Sequence, residues 1–594
     1  MSISQMPSHL KWALATLSGC LNGAAFIFYG PLALIANLPL LLALRSAQSF
    51  GEAISLGAWV GFLGGVHIFG VLNYGWWIFW AFSFYTASQM ILFGAVIYGV
   101  RTYFQKRVNL GLSLFYELGT PCAIWTITEW LRTVGPVALP ASYVGCIADI
   151  EWLSPLLSWA NTVGGLGVSA LIALVSSALW LCISTGDIEL ELARINHQDK
   201  DEKGSSETSL NSSKGAQSSS SEEETKTLVE QQEQRLKTSR AFAGLSGLLL
   251  VGFLYLWGYL MPPNFEGIPL KVAGLQGGFT NEIYQATEAD PLLSVDIVET
   301  YEALLAEAKS KDVDLIVWAE SALRVPVINT PSLRQRLLPQ SEEEPWLIGG
   351  LAHTDPDGQT YNLAFSAHDQ RVIGRYVKVK TVPGVEAKFK PGKEWTPLPT
   401  EWGAVGVLIC FESIYPHAGR ALAQAGARLL LVLSNDAGFG ETPISHHMTN
   451  RAIVRAVETG RWLLRVGQAG VTTLIDPRGI QYGTLNLFEA GVLYGEAMLR
   501  GEVTPFVRFG VSWLWGLLVF LLIPLIYVLI PHLISVDEDK KVSMKIFPSQ
   551  SFLMDLRHQS NQALKRVQVY VRTIIKSRGK SKDDDDSSDD DPYQ

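Results

Sequence analysis

Hydrophobic and polar positions divide this chain into two kinds of segment. Up to about residue 186, apolar residues follow one another almost without interruption and are broken only by short polar turns. Residues 265–500 instead mix apolar and polar positions in the way that a water-soluble globule does. Since a helix needs roughly 20 mostly apolar residues to cross a bilayer, the pattern predicts a membrane part and a water-exposed part.

The membrane part is predicted to contain about eight spans. Six belong to an N-terminal bundle over residues 1–186, one lies within 241–262 and one within 506–532. The apolar stretches behind this prediction are 11–27, 29–45, 55–73, 76–100, 112–132, 155–184, 241–260 and 508–531. The soluble domain at 265–500 is therefore expected to be inserted between the seventh and eighth spans.

Two polar segments flank these spans. Residues 187–240 are rich in Ser, Glu, Lys and Gln, a composition that predicts a disordered loop. Residues 533–594 form a tail that ends in an acidic run at 583–591, which carries much of the net charge of -9 and is also expected to be disordered. Without a basic surface or a phosphate-binding loop motif, the sequence gives no sign of nucleic-acid or nucleotide binding.

Basic residues near the span ends predict the orientation. If the spans alternate in direction, these residues share one side of the membrane, and Lys and Arg accumulate on the cytoplasmic side. They are Arg45, Arg101, Lys106, Arg107, Lys237 and Arg240. The chain is thus predicted to be a multi-pass protein of the inner (plasma) membrane, with loop 187–240 and the tail in the cytoplasm and the domain at 265–500 extracytoplasmic.

Within that domain, short apolar runs alternate with helix-like stretches. The predicted strands are 270–275, 314–318, 403–409 and 428–434, and the predicted helices are 300–309 and 445–460. Such alternation is typical of layered α/β folds.

Among the five cysteines, four lie in or beside apolar segments, and Cys410 stands alone in the soluble part. Cys20 follows Leu17-Ser18-Gly19, which has the shape of a lipoprotein processing site. The apolar run continues past Cys20 to Leu44, however, which favours a thiol within a membrane helix.

Three polar residues, Glu320, Lys378 and Cys410, each follow a predicted strand, a position from which α/β folds present reactive groups. A thiol becomes a good nucleophile only beside a base or a positive charge, and Glu320 and Lys378 could supply both. The alternatives are a buried structural thiol and two solvated surface charges, and spacing alone does not decide between them.

A resemblance favours the catalytic reading. Trp318-Ala319-Glu320-Ser321, Tyr376-Val377-Lys378 and Ile409-Cys410-Phe411-Glu412, followed by Ser434-Asn435-Asp436, resemble the motif series of the nitrilase superfamily. The spans on both sides of the domain narrow this to the apolipoprotein N-acyltransferase family, which the chain resembles from end to end.

Further local matches support that family. Thr128-Glu129-Trp130-Leu131-Arg132 resembles its EWLR motif, Leu275-Gln276-Gly277 resembles the start of its catalytic domain, and Val382-Pro383 with Glu386 resembles its VPxGE loop. The chain departs from the family at Gly438, where Trp is usual, and in the loop Gly384-Val385-Glu386, where the glycine is shifted. We expect these departures to affect the loops that contact lipid.

The resemblance implies a polytopic helical membrane domain carrying a nitrilase-like αββα sandwich, and a fatty acyl transfer from phospholipid to a diacylated lipoprotein. Glu320 would be the general base, Lys378 the electrostatic stabiliser and Cys410 the nucleophile. Phe411 would contribute a backbone N–H, whereas Glu386 and Glu412 would support the site unless they are merely structural. The implied chemistry needs no cofactor or metal, and the adjacent His446 and His447 lack the spacing of a metal site.

Two other functions fit the same residues. A membrane-tethered hydrolase with amidase or nitrilase-like activity would use the same three groups but pass the acyl group to water. A non-enzymatic scaffold would use loop 187–240 and the acidic tail to recruit partners, although such a scaffold has no physical need for all three polar residues.

Overall fold

A computed structural model of the chain describes residues 6–105, 108–134, 153–184, 218–536 and 542–544. The N-terminal part is a bundle of helices, and the segment from residue 268 to 499 is an α/β domain. Within these residues, five helices are long and apolar enough to cross a membrane: Ser8–Ile27, Phe50–Asn73, Trp76–Phe104, Ala160–Ile183 and Glu230–Leu260.

The expected count of eight spans is not confirmed within the described residues. The stretch predicted as a span at 29–45 is broken into a 3-10 turn, Gly30–Leu32, and two short helices, Ala33–Ala36 and Leu38–Arg45. Pro31 and Pro39 each lack a backbone N–H, so each starts a new helical segment instead of continuing one.

The other two predicted spans are helical but differ from the five. Leu110–Leu131 contains Pro121 and the buried carboxylates of Glu117 and Glu129. After the α/β domain, a short helix Pro505–Phe509 precedes the helix Leu514–Leu533. The apolar part of this last helix, Leu514–Tyr527, is shorter than the five candidate spans. The strands Ile534–Val536 and Val542–Met544 then pair antiparallel.

The prediction of a disordered loop over 187–240 is wrong for its last part. A single helix runs from Ser218 to Leu260 and so joins residues 218–240 to the seventh predicted span. Its polar turns are held by an ion pair between Lys237 and Glu233, one helical turn apart at 2.6 Å. Arg240 is buried and lies 2.7 Å from Glu117 of a neighbouring helix. The rest of the predicted loop and the acidic tail lie outside the described residues.

Three of the basic residues used to predict the orientation gather at one end of the bundle. Arg45 and Arg240 both donate hydrogen bonds to the hydroxyl of Ser184, at 2.9 and 2.8 Å. Arg101 donates to the carbonyls of Leu44, Arg45 and Ala47. These residues therefore share a side of the bundle, as the alternation of spans predicts.

The α/β domain contains two six-stranded sheets. The strands, in chain order, are β1 Ile268–Gln276, β2 Leu315–Trp318, β3 Trp346–Thr354, β4 Thr360–His368, β5 Arg371–Val377, β6 Leu398–Thr400, β7 Gly403–Ile409, β8 Ala427–Ser434, β9 Leu463–Gly467, β10 Thr472–Ile475, β11 Gln481–Leu485 and β12 Gly491–Leu499. One sheet has the order β12-β1-β2-β3-β4-β5 and the other β11-β10-β9-β8-β7-β6. The pairs β1–β2, β2–β3, β7–β8 and β8–β9 are parallel.

The sheets pack face to face and helices cover their outer faces. Gly274 of β1 approaches Val466 of β9 and Thr472 of β10 so closely that an added methyl group would lie 3.2 and 3.3 Å from their side chains. Helix Ser294–Lys309 packs on β1 and β12, and helices Pro416–Gln424 and Ile444–Thr459 pack on the second sheet. Two further helices, Asn281–Ala289 and Pro331–Leu337, complete this layered α/β domain.

Candidate active site

Glu320, Lys378 and Cys410 meet between the two sheets. Glu320 follows β2, Lys378 follows β5 and Cys410 follows β7, so all three lie where a strand ends. Each is buried, with exposed fractions of 5%, 1% and 9%. The structure therefore brings together the three groups that the sequence analysis singled out, and it excludes solvated surface charges as their environment.

Lys378 is held between two carboxylates. Its Nζ donates to Oε1 of Glu320 at 2.8 Å and to Oε1 of Glu386 at 2.9 Å. Burial alone would lower the pKa of Lys378, but the charges of Glu320 and Glu386 outweigh burial and raise this pKa above its ordinary value. The ammonium group therefore stays charged at neutral pH.

Asn362, on β4, completes this network. Its Nδ2 donates to the same two carboxylate oxygens as Lys378, to Glu320 at 2.7 Å and to Glu386 at 2.9 Å. The backbone carbonyl of Asn362 accepts the backbone N–H of Lys378 at 2.9 Å. Asn362 thus fixes both the side chains and the backbone around the ammonium group, a role that the sequence analysis missed. The available signal was a single amide within the otherwise apolar strand Tyr361-Asn362-Leu363-Ala364-Phe365.

Cys410 has a strained backbone and a protonated thiol. Its φ of 50° lies in the left-handed region, which costs a residue with a side chain about 1–3 kcal/mol. Burial raises the pKa of the thiol, Glu320 raises this pKa further, and Lys378 and a hydrogen bond with Ser434 oppose the rise. The resting sulfur is therefore a thiol rather than a thiolate.

Glu412 is fully buried and joins the segment of Lys378 to that of Cys410. Its carboxylate accepts the hydroxyl of Tyr376 at 2.7 and 2.8 Å and the N–H groups of Val379, at 2.7 Å, and Ile409, at 2.8 Å. Burial raises the pKa of Glu412, whereas these donors lower it. Glu412 therefore holds the ends of β5 and β7, which belong to different sheets, close together. All of these contacts are to the protein itself.

Glu386 is likewise not a surface charge, as only 11% of its side chain is exposed. While Oε1 binds Lys378 and Asn362, Oε2 accepts the N–H of Val382 at 2.7 Å. The shifted glycine of this loop, Gly384, therefore leaves the carboxylate in contact with Lys378. Phe411 follows Cys410 within the 3-10 helix Cys410–Ile414, and its ring packs on Tyr415.

The segment after β8 closes the other side of the site. The N–H of Asn435 donates to Oε2 of Glu320 at 3.1 Å. Asp436 is buried and forms an ion pair with Arg465 at 2.6 Å, while the hydroxyls of Ser434 and Ser445 also donate to its carboxylate. This segment therefore fixes the side of Glu320 opposite Lys378.

The departure at Gly438 has a steric explanation. A methyl group added to Gly438 would lie 2.1 Å from the hydroxyl oxygen of Tyr74, which belongs to the turn between two candidate spans. Tyr74 thus fills the space beside Gly438. The EWLR-like motif lies elsewhere, inside the bundle, where Glu129 accepts the indole N–H of Trp125 at 2.9 Å and Arg132 donates to Gln89. Both of its charged residues are buried within the bundle.

The charged ammonium group of Lys378, the carboxylate of Glu320 and the thiol of Cys410 on its strained turn are together suited to acyl transfer. The thiol can attack a carbonyl carbon, the carboxylate can take its proton, and the ammonium group can stabilise a developing oxyanion.

Comparisons with known proteins point the same way. Residues 294–501 match the carbon-nitrogen hydrolase family. The chain is 29% identical over 537 residues to a protein named apolipoprotein N-acyltransferase from Geobacter metallireducens, covering 85% of this chain and 92% of that relative. Proteins of the same name from Pseudomonas syringae pv. tomato and Nitrosomonas europaea are 31% and 27% identical, covering 47% and 68% of this chain and 59% and 73% of those relatives.

Proposed function

We propose, on the premise that this chain is a homologue of the apolipoprotein N-acyltransferases with a carbon-nitrogen hydrolase domain, that it acylates bacterial lipoproteins. A fatty acyl group passes from a membrane phospholipid to Cys410 and then to the N-terminal α-amine of a diacylglyceryl-cysteine apolipoprotein, the last step of lipoprotein maturation. The observation that carries this proposal is the placement of Lys378 between Glu320 and Glu386, next to the buried thiol.

In the first half of the reaction, the sulfur of Cys410 attacks the ester carbonyl carbon of the phospholipid. Because the resting thiol is protonated, Glu320 takes its proton as the carbon–sulfur bond forms. The oxyanion is stabilised by the ammonium group of Lys378 and the backbone N–H of Phe411, and one such donor is typically worth about 3 kcal/mol. The carbon–oxygen bond then breaks, and the lysophospholipid leaves with the proton held by Glu320.

In the second half, the α-amine of the apolipoprotein attacks the thioester carbonyl. Glu320 accepts a proton from the attacking nitrogen and returns one to the leaving sulfur, so the amide and the free Cys410 thiol are the products. Lys378 and Phe411 stabilise the second oxyanion as they do the first. No step of this cycle requires a cofactor.

Glu386 and Glu412 are positioning residues in this proposal. Glu386 binds the second side of Lys378 and so keeps its ammonium group charged within a buried site. Glu412 joins the backbone before Cys410 to the backbone after Lys378. Their substitution should therefore slow both half-reactions.

The bilayer supplies both substrates in this proposal. The five candidate spans show a membrane protein, and we propose that the α/β domain lies on the extracytoplasmic face of the inner membrane, with residues 187–240 and the C-terminal tail in the cytoplasm. A tag inserted at Ser219 should resist a membrane-impermeant label in intact cells and react after lysis. Labelling in intact cells would contradict this orientation.

The function can be tested with the purified chain in liposomes that contain a phospholipid with a labelled acyl chain and a diacylglyceryl lipopeptide. We expect the label on the α-amine of the lipopeptide, and we expect Cys410→Ser to abolish it. Cys182→Ser, which changes a thiol inside the helical bundle, is the matched control and should leave transfer intact. Release of the label to water without N-acylation would instead support the hydrolase.

A further inference from the structure

The second and third candidate spans are joined by a turn at residues 74–75, and this turn reaches the active site together with the adjoining ends of both spans, Asn73 and Trp77. Nδ2 of Asn73 donates to the carbonyl of Phe439 at 3.1 Å. The ring of Trp77 would lie 3.8 Å from a methyl group added to Gly384, in the loop that carries Glu386. The membrane domain therefore contacts both loops that border the site, after β5 and after β8.

Tyr74 of this turn packs on the loop that follows β8. Its ring packs edge-on against Phe439, with 5.3 Å between the ring centroids. Its hydroxyl lies against the backbone of Gly438, where any larger residue would displace it. The absence of a side chain at position 438 and the position of the phenol are therefore coupled.

The hydroxyl of Tyr74 lies near acidic groups, and the nearby carboxylate of Glu320 already accepts hydrogen bonds from other residues. Burial raises the pKa of Tyr74, and its electrostatic interactions with Cys410, Asp436, Glu320 and Glu386 raise it further, so the hydroxyl keeps its proton. Lys378, Asn362 and the N–H of Asn435 already donate to Glu320. Among the described residues, no hydrogen-bond partner is found for the Tyr74 hydroxyl, and 38% of the residue is exposed.

We propose that the Tyr74 hydroxyl is an additional substrate-binding group of the active site, contributed by the membrane domain, and that it donates a hydrogen bond to an ester oxygen of a glycerolipid bound at Cys410. This assignment rests on the proposed acyl transfer. It makes Tyr74 a specificity-determining residue that neither the sequence motifs nor the three central groups include.

The surrounding charges select an ester over the other polar groups of a phospholipid. Glu320 and Glu386 share the single positive charge of Lys378, and Asp436 is paired with Arg465, so these groups together keep a negative charge that repels a phosphate. A neutral ester oxygen accepts a hydrogen bond without that cost. Both the phospholipid donor and the diacylglyceryl acceptor carry such esters. The two half-reactions therefore have to be measured separately.

The test uses Tyr74→Phe, which keeps the ring against Phe439 and removes only the hydroxyl. The full-length variant in liposomes is mixed with labelled phospholipid, and the single-turnover rate of Cys410 acylation is measured. The isolated acyl-enzyme is then mixed with a diacylglyceryl lipopeptide. Tyr29→Phe, in an exposed turn of the bundle, is the matched control. Alkylation of Cys410 by iodoacetamide reports whether the thiol itself is unchanged.

We expect Tyr74→Phe to slow one half-reaction about tenfold, the loss of a single hydrogen bond, with alkylation and the control variant within twofold of wild type. A slower first half assigns the ester to the phospholipid, and a slower second half assigns it to the acceptor. Unchanged rates in both halves, or an equal loss of alkylation, would overturn the assignment. If wild type formed no acyl-Cys410, the proposed function would fail and this assignment with it.

A second pair of variants tests the steric coupling. Gly438→Ala places a methyl group against the Tyr74 hydroxyl and should slow the same half-reaction at least as much as Tyr74→Phe does. In the Tyr74→Ala background, where the space is free, the same change should have less than a twofold effect. An equal effect of Gly438→Ala in both backgrounds would show that Tyr74 does not occupy that space and would also overturn the assignment.

Discussion

The hydroxyl of Tyr376 lies 2.7 and 2.8 Å from the two carboxylate oxygens of Glu412, and this contact joins the end of β5 in one sheet to the end of β7 in the other. Lys378 follows Tyr376 by two residues and Cys410 precedes Glu412 by two. The distance between the ammonium group and the thiol therefore depends on this contact.

Tyr376→Phe is expected to weaken the fold and slow the reaction. It removes one donor from a fully buried carboxylate, which typically costs about 1–3 kcal/mol. The thermal unfolding temperature in detergent and the rate of Cys410 acylation should both fall. Tyr494→Phe, which removes an exposed hydroxyl 3.1 Å from Glu307, should leave both unchanged. Equal effects of the two variants would contradict the role of Glu412.

Asn362→Ala is expected to reduce acylation of Cys410 by about 10–100-fold, because a hydrogen bond to a charged group is worth about 1.5–3 kcal/mol. The variant removes the amide that Glu320 and Glu386 share and leaves Lys378 as the donor that joins them. Asn329→Ala, at an exposed position of the same domain, serves as the control. Activity of Asn362→Ala within twofold of wild type would show that Lys378 alone maintains the network.

The pH dependence of Cys410 alkylation follows from its raised pKa. Because the reactive form is the thiolate, the fraction available at neutral pH is small and grows about tenfold per pH unit below the pKa. We expect the rate of iodoacetamide labelling, assigned to Cys410 by peptide mass spectrometry, to rise steadily from pH 7 to pH 9. A plateau below pH 8 would mean that the lowering of the Cys410 pKa by Lys378 outweighs its raising by burial and Glu320.

Backbone strain at Cys410 predicts a difference between two inactive variants. Alanine must keep the positive φ of this position, whereas glycine adopts it freely. Cys410→Gly should therefore be more stable than Cys410→Ala by about 1 kcal/mol, despite the greater freedom of glycine in the unfolded chain. Comparison of their unfolding temperatures checks this, and a lower value for Cys410→Gly would show that the turn is not strained.

Much of the α/β domain could be predicted from the sequence. Buried parallel strands appear as continuous apolar runs, so the strand predicted at 403–409 coincides with β7 and the one at 428–434 differs from β8 by one residue. The convergence of Glu320, Lys378 and Cys410 followed from their motifs and from their positions at strand ends.

The remaining features depend on contacts between distant segments. Asn362 meets Glu320 across 42 residues and Asn73 meets Phe439 across 366, which no local pattern reveals. The composition of residues 218–240 predicts disorder, but the structure has a helix there. The ion pair of Arg240 with Glu117 of another helix is a distant contact that composition does not show. At 29–45, hydrophobicity alone concealed the breaks that two prolines impose.

The central claim is a thioester on Cys410, and trapping it is the most direct test. The purified chain is incubated with a phospholipid carrying a labelled acyl chain, without an amine acceptor, and the label is located by mass spectrometry. We predict label on Cys410 that is absent from Cys410→Ser and is lost when a diacylglyceryl lipopeptide becomes N-acylated. An unlabelled Cys410 in folded protein would contradict the account.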